Sequence, residues 1–67
     1  MRPLLIKFRG EVSQEAMAKH FNVTQQTWSN WEKGTSTPPP HVMKQIEIES
    51  GYLMEEIFFD VFNKSIL

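Results

Sequence analysis

Gln25, Gln26, Ser29, Asn30 and Lys33 crowd into one short stretch, and all but the lysine are polar and uncharged. Trp28 and Trp31, three residues apart, would claim one side of a helix through this stretch. The polar set would then line or border the opposite, exposed face. An amide side chain presents a donor beside an acceptor, so Gln and Asn can bond adenine bidentately in the major groove. A helix with a row of amides facing outward is therefore a candidate reader of base edges. The plainer alternative for Gln25-Gln26 is an ordinary solvated helix start.

Such a reader works only if its helix is held rigidly, and the flanking residues supply the means. Thr24 can cap the helix at its start, and Gly34 can end it in a left-handed conformation. Upstream, Ser13 caps another short helix whose apolar face is Met17, Ala18 and Phe21 at three- and four-residue spacing. Asn22, which tolerates the left-handed region, stops that helix abruptly and is followed by apolar Val23. Small Ala18 lets the two helices approach closely. Residues 13–34 therefore read as two helices joined by a tight turn, the second over Gln25–Lys33.

This stretch resembles the helix-turn-helix of the Cro/XRE family, which includes the lambdoid phage repressors. The residues that carry the resemblance are Ser13-Gln14-Glu15, Ala18, Val23, Thr24-Gln25-Gln26-Thr27, Trp31-Glu32-Lys33-Gly34, Pro38, Gly51 and Glu56-Ile57-Phe58. It runs without a gap from about Lys7 to Phe58. It implies an all-α, five-helix, lambda-repressor-like fold and a sequence-specific regulator of transcription that binds duplex DNA. It further implies that Gln25, Gln26 and Asn30 contact bases, with the Thr27 methyl available to a thymine methyl. Gln14 matches a position that bonds a backbone phosphate while bracing the recognition helix. Ser13 and Thr24 open the two helices, whose first-turn amides favour phosphate. Lys33, Thr35 and Thr37 fall where relatives grip the sugar–phosphate strand, which fixes register without reading sequence. Lys7 and Glu32 occupy positions that pair in the family as a partly buried ion pair.

Two departures accompany the resemblance. Glu47 and Ser50 stand where relatives bury Ala and Leu late in the fourth helix, so either that helix packs differently or Ile48 turns inward. Trp28 replaces a branched aliphatic, so its neighbours make room or its ring reaches the DNA side.

The remaining residues frame the unit. Pro3 opens a first helix with Leu4, Leu5, Ile6 and Phe8 on its apolar face, and Gly10-Glu11 break it. The TSTPPP loop leads into a fourth helix that carries Val42, Met43 and Ile46 and ends at Gly51. A fifth runs from about Leu53 to Phe59. Sixty-seven residues without cysteine make one small domain, residues 1–67, stabilised by helix packing rather than by disulfides or thiolate metal sites. No apolar run approaches a membrane span, and MRPLLIKFRG is too short for a secretory signal, so a cytoplasmic location is expected. Residues 1–44 hold six Lys and Arg against three Glu, whereas residues 45–67 hold one Lys against five acids. A basic reading half and an acidic distal half would orient the chain on DNA.

No Ser/His/Asp order, glycine-rich phosphate loop or convergent carboxylate pair argues for catalysis, and no cofactor is implied. His20 and His41 lie on different elements without ligand spacing, so no metal site is expected. Exposed Trp28 and Trp31 rings would suit single-stranded nucleic acid, but core packing is the simpler expectation. In the tail, residues 59–67, Phe59, Val61, Phe62, Ile66 and Leu67 exceed what one short helix can bury. A homodimer sharing this surface would explain them, as would a tail folded back over its own helices; Val61-Phe62 also has the character of a short pairing strand. The competing function is a protein-interaction module, antitoxin-like, in which the tail captures a protein partner and the glutamines are idle.

Overall fold

The computed structural model describes residues 1–62, and among these all regular structure is helical. Helix α1 spans Pro3–Arg9, α2 Gln14–His20, α3 Gln25–Lys33, α4 Pro40–Ser50, α5 Met54–Ile57 and α6 Phe59–Phe62. The five expected helices are joined by a sixth, because the fifth breaks at Phe58 (φ −109°, ψ 44°) and one more turn follows. Val61 and Phe62 lie in that turn, so their expected strand character is not realised. The local Phe58 carbonyl accepts from the amides of both Val61 and Phe62. Ile66 and Leu67 fall outside the described residues.

Local chemistry sets the two helices of the motif. The Ser13 hydroxyl accepts from the Ala16 amide at 3.0 Å, and the Thr24 hydroxyl accepts from the Thr27 amide at 3.1 Å. Between them Asn22 adopts φ +60°. That conformation lets the Asn22 amide reach the Lys19 carbonyl and the Val23 amide reach the Ala18 carbonyl at 2.9 Å. These two bonds are the paired closure of a left-handed helix stop. The chain reverses in the four residues Phe21 to Thr24, so α2 packs against α3 more extensively than any other pair of helices meets.

The core joins Leu5 of α1, Met17 and Ala18 of α2, Phe21, Trp28 and Trp31 of α3, Val42, Met43 and Ile46 of α4, and Ile57 and Phe58. Trp28 is fully buried, its ring stacked on Phe21 at 5.5 Å and set edge-on to Trp31 at 5.7 Å. Its neighbours make room for it, and neither tryptophan is open to stack on a base. Ile48 is 70% exposed and does not turn inward. Glu47 and Ser50 serve the chain that follows instead. A Glu47 carboxylate oxygen accepts from the Met54 amide at 2.6 Å, and the Ser50 hydroxyl accepts from the Tyr52 amide at 3.1 Å. Leu53, at the α5 cap position, provides no side-chain acceptor, so Glu47 satisfies an otherwise orphan amide from a distance. No helix among the described residues is long and apolar enough to cross a membrane.

Candidate nucleic-acid interface

The outer face of α3 carries the polar row. Gln25 and Gln26 are exposed, Thr27, Ser29 and Asn30 are half-buried, and Lys33 is exposed at the helix end. Gln26 and Asn30, one turn apart, are bonded to each other: Nε2 of Gln26 donates to Oδ1 of Asn30 at 3.0 Å. The link orients the two amides relative to each other across one helical turn. The Thr24 hydroxyl donates to that of Thr27 at 2.9 Å while capping the helix. Beyond Gly34, Thr35 and Thr37 are exposed, and the Thr35 hydroxyl donates to the Asn30 carbonyl at 3.3 Å.

Behind this face, α3 is anchored by a buried anion. Glu32 is 3% exposed and takes hydrogen bonds from three side chains. Arg9 donates through Nε at 2.6 Å and Nη2 at 3.3 Å, Gln14 through Nε2 at 2.9 Å, and Trp28 through Nε1 at 2.5 Å. Burial pushes the Glu32 carboxyl up. The donors Arg9, Gln14 and Trp28, with the charge of Arg9, outweigh it and hold the group below its ordinary value. The expected partner, Lys7, is exposed and does not fill this place. Lys7 and Arg9 are two residues apart on a helix, roughly 200° around its axis, so only one of them can face α3. Arg9 does, and its planar fork reaches both carboxylate oxygens. Gln14 braces α3 through the same carboxylate, with its second amide hydrogen still unspent.

A buried cation holds the same C-terminal end of α3. Arg2 is 1% exposed, and its backbone amide donates to the Glu32 carbonyl at 2.8 Å. Its guanidinium spends every donor. Nη1 bonds the Trp31 carbonyl at 2.9 Å and the Ser36 carbonyl at 2.7 Å; Nη2 bonds the Thr37 hydroxyl at 3.0 Å and Asp60 at 2.9 Å; Nε bonds Asp60 at 3.0 Å. The group also lies 5.1 Å from the centre of the Phe58 ring. Arg2 thereby caps the C-terminal end of α3 from another part of the chain, with its positive charge at the negative end of the helix dipole. The Arg2 bonds hold the Asp60 carboxyl below its ordinary value, against a smaller upward push from burial.

Sequence reasoning counted Arg2 and Arg9 toward a basic reading surface. Both are instead spent inside the protein, on Asp60 and Glu32, and the exposed cations of the first three helices are Lys7, Lys19 and Lys33. Asp60 was missed, although two signals pointed to it. Arg2 directly precedes the first helical residue, where a cation opposes the helix dipole and must find its partner elsewhere. Asp60 is the single acid in the apolar run Phe58 to Phe62. Around it, Phe59, Val61 and Phe62 stay exposed on α6. No group of acids and histidines among the described residues converges as a metal site.

A capped helix with an amide face, joined by a four-residue reversal to a helix that buttresses it, defines a DNA-binding protein of the helix-turn-helix class. The family model described as helix-turn-helix matches residues 6–52, and the chain belongs to that family, the Cro/C1-type, XRE group of transcription regulators. This is a family of DNA-binding regulatory domains rather than enzymes. Comparison with curated proteins and with solved structures returned no match.

Proposed function

We propose that the chain is a repressor that binds a two-fold symmetric duplex site as a homodimer, reading the major groove with α3. The observation that carries this reading is the amide row of exposed Gln25 and Gln26 and half-buried Asn30, on a helix capped by Thr24 at its start and held by Glu32 and Arg2 in its last turn. In it, Gln25, Gln26, Thr27 and Asn30 contact base edges. Ser13, Gln14, Thr24, Lys33, Thr35 and Thr37 contact phosphates and set the register. Phe59, Val61 and Phe62, each about two-fifths exposed, contribute to the dimer surface together with Ile66 and Leu67. Occupancy of DNA that polymerase requires would suffice for repression, and the site of action would be the cytoplasm.

Selection of bound duplexes from a random pool, followed by sequencing, tests this. Enrichment of a palindrome with half-sites about one DNA turn apart is the expected result. Alanine at Gln25, Gln26 or Asn30 should then cost about 1–3 kcal/mol each on the enriched site. No enrichment from folded protein would sink the reading. The exposed aromatics of α6 favour one alternative, a module that captures a protein partner. That function would survive the alanine substitutions on α3 and fail on Phe59→Ser or Phe62→Ser.

A further inference from the structure

Arg2 and Asp60 touch none of the side chains assigned to base edges, yet their network ends on one assigned to phosphate. Nη2 of Arg2 donates to the Thr37 hydroxyl oxygen at 3.0 Å. A hydroxyl has one proton and two lone pairs. With a cation on one lone pair, the Thr37 proton is directed away from Arg2. Thr37 is exposed, so that proton is free to meet an outside acceptor. The bond from a charged donor also polarises the hydroxyl and makes it a better donor.

Three further contacts keep the guanidinium from turning. Nη1 is tied to the Trp31 and Ser36 carbonyls, which locks the loop to the last turn of α3. Asp60 takes Nε and the second hydrogen of Nη2, closing a bidentate fork. Phe58 covers the group, 5.1 Å from ring centre to guanidinium carbon. Asp60 also neutralises Arg2, so the assembly supplies direction rather than net charge.

We propose that Arg2, clamped by Asp60, is a positioning residue for DNA binding that holds the Thr37 hydroxyl as a directed donor to a backbone phosphate. The proposal rests on the reading that the loop after α3 meets the phosphate strand. It assigns α6 a part in DNA affinity although α6 does not face the amide row. Because a phosphate donor is blind to sequence, the effect is the same on every duplex.

The test measures binding of a fluorescein-labelled duplex of random sequence across a salt series, at a temperature where melting curves show every variant folded. Thr37→Val should weaken binding about tenfold, the loss expected for a hydrogen bond to a charged group, and Thr37→Ser should restore it. Asp60→Asn should weaken binding less, and should have no further effect in the Thr37→Val background, because both act through one donor. Neither Thr37 variant should change the salt slope, since a hydroxyl displaces no counterion. Lys33→Ala should reduce the slope by about 0.9. Thr37→Val binding as tightly as wild type would overturn the proposal, as would Asp60→Asn weakening binding equally in both backgrounds. If the wild-type chain binds no duplex, the DNA reading and this inference fall together. If it binds without enriching a sequence, the specific-repressor reading alone fails.

Discussion

Two buried charges hold α3, and they differ in how far along the chain each must reach. Glu32 gathers Arg9, Gln14 and Trp28 from the neighbouring segments of the first three helices. Arg2 gathers the end of α3, the loop after it and Asp60, which stands 58 residues away. The anion anchors the motif to itself; the cation anchors it to the tail. An apolar contact tolerates small slips, whereas a guanidinium with all its donors spent holds one geometry. The last turn of α3 is thus fixed by two charge networks, while the rest of the helix is held by its Thr24 cap and by packing.

Removing the cation should be the larger injury. Arg2→Ala uncaps the Trp31 and Ser36 carbonyls and empties the place of a fully buried side chain, and should cost about 3 kcal/mol in denaturant unfolding. A loss below about 1 kcal/mol would show that water replaces the network without penalty. Arg9→Ala should cost less, about 2 kcal/mol, because Gln14 and Trp28 still solvate Glu32. Lys7→Ala should stay within about 0.5 kcal/mol, as expected of a surface substitution. Equal effects at positions 7 and 9 would break the distinction between the two cations of α1.

Acid sharpens the comparison more gently. Glu32 and Asp60 both have folded values below their ordinary ones of 4.5 and 3.8. A depressed carboxyl favours the folded state above its unfolded value and loses that contribution as pH falls through the folded value. Stability should therefore be flat from neutral pH down to about 5 and decline below it. Asp60→Asn should shallow that decline, and Glu32→Gln should shallow it further, because Glu32 is the more buried of the two. An unchanged acid profile in both variants would mean that neither carboxyl is protonated in the native range.

What was legible in the sequence follows the same division. The bounds of α3 and the reversal before it were readable because Ser13, Asn22, Thr24 and Gly34 act on backbone a few residues away. The core aromatics were readable from helical spacing. Which cation of α1 meets Glu32 was not, since the answer depends on the rotation of a seven-residue helix about its axis. Glu47 looked like a packing defect in α4, but its role depends on an amide seven residues downstream. Arg2 looked like a surface charge because its partner lies almost the whole described chain away. For the amide face, the sequence marks which residues stand outward, while the bond between Gln26 and Asn30 required coordinates.

The joining of Arg2 to Asp60 also has a kinetic meaning. The bond closes a loop that contains nearly all of the described chain, and such closure loses more entropy than the local turns do. Local helices and the reversal at Asn22 can form while both ends are still free. The clasp is then expected late in folding, and Asp60→Ala should raise the unfolding rate in stopped-flow kinetics more than it lowers the folding rate. In a DNA-binding domain built this way, the local turns of the middle can form first and the distant charge pair is the natural determinant of how long the fold stays closed.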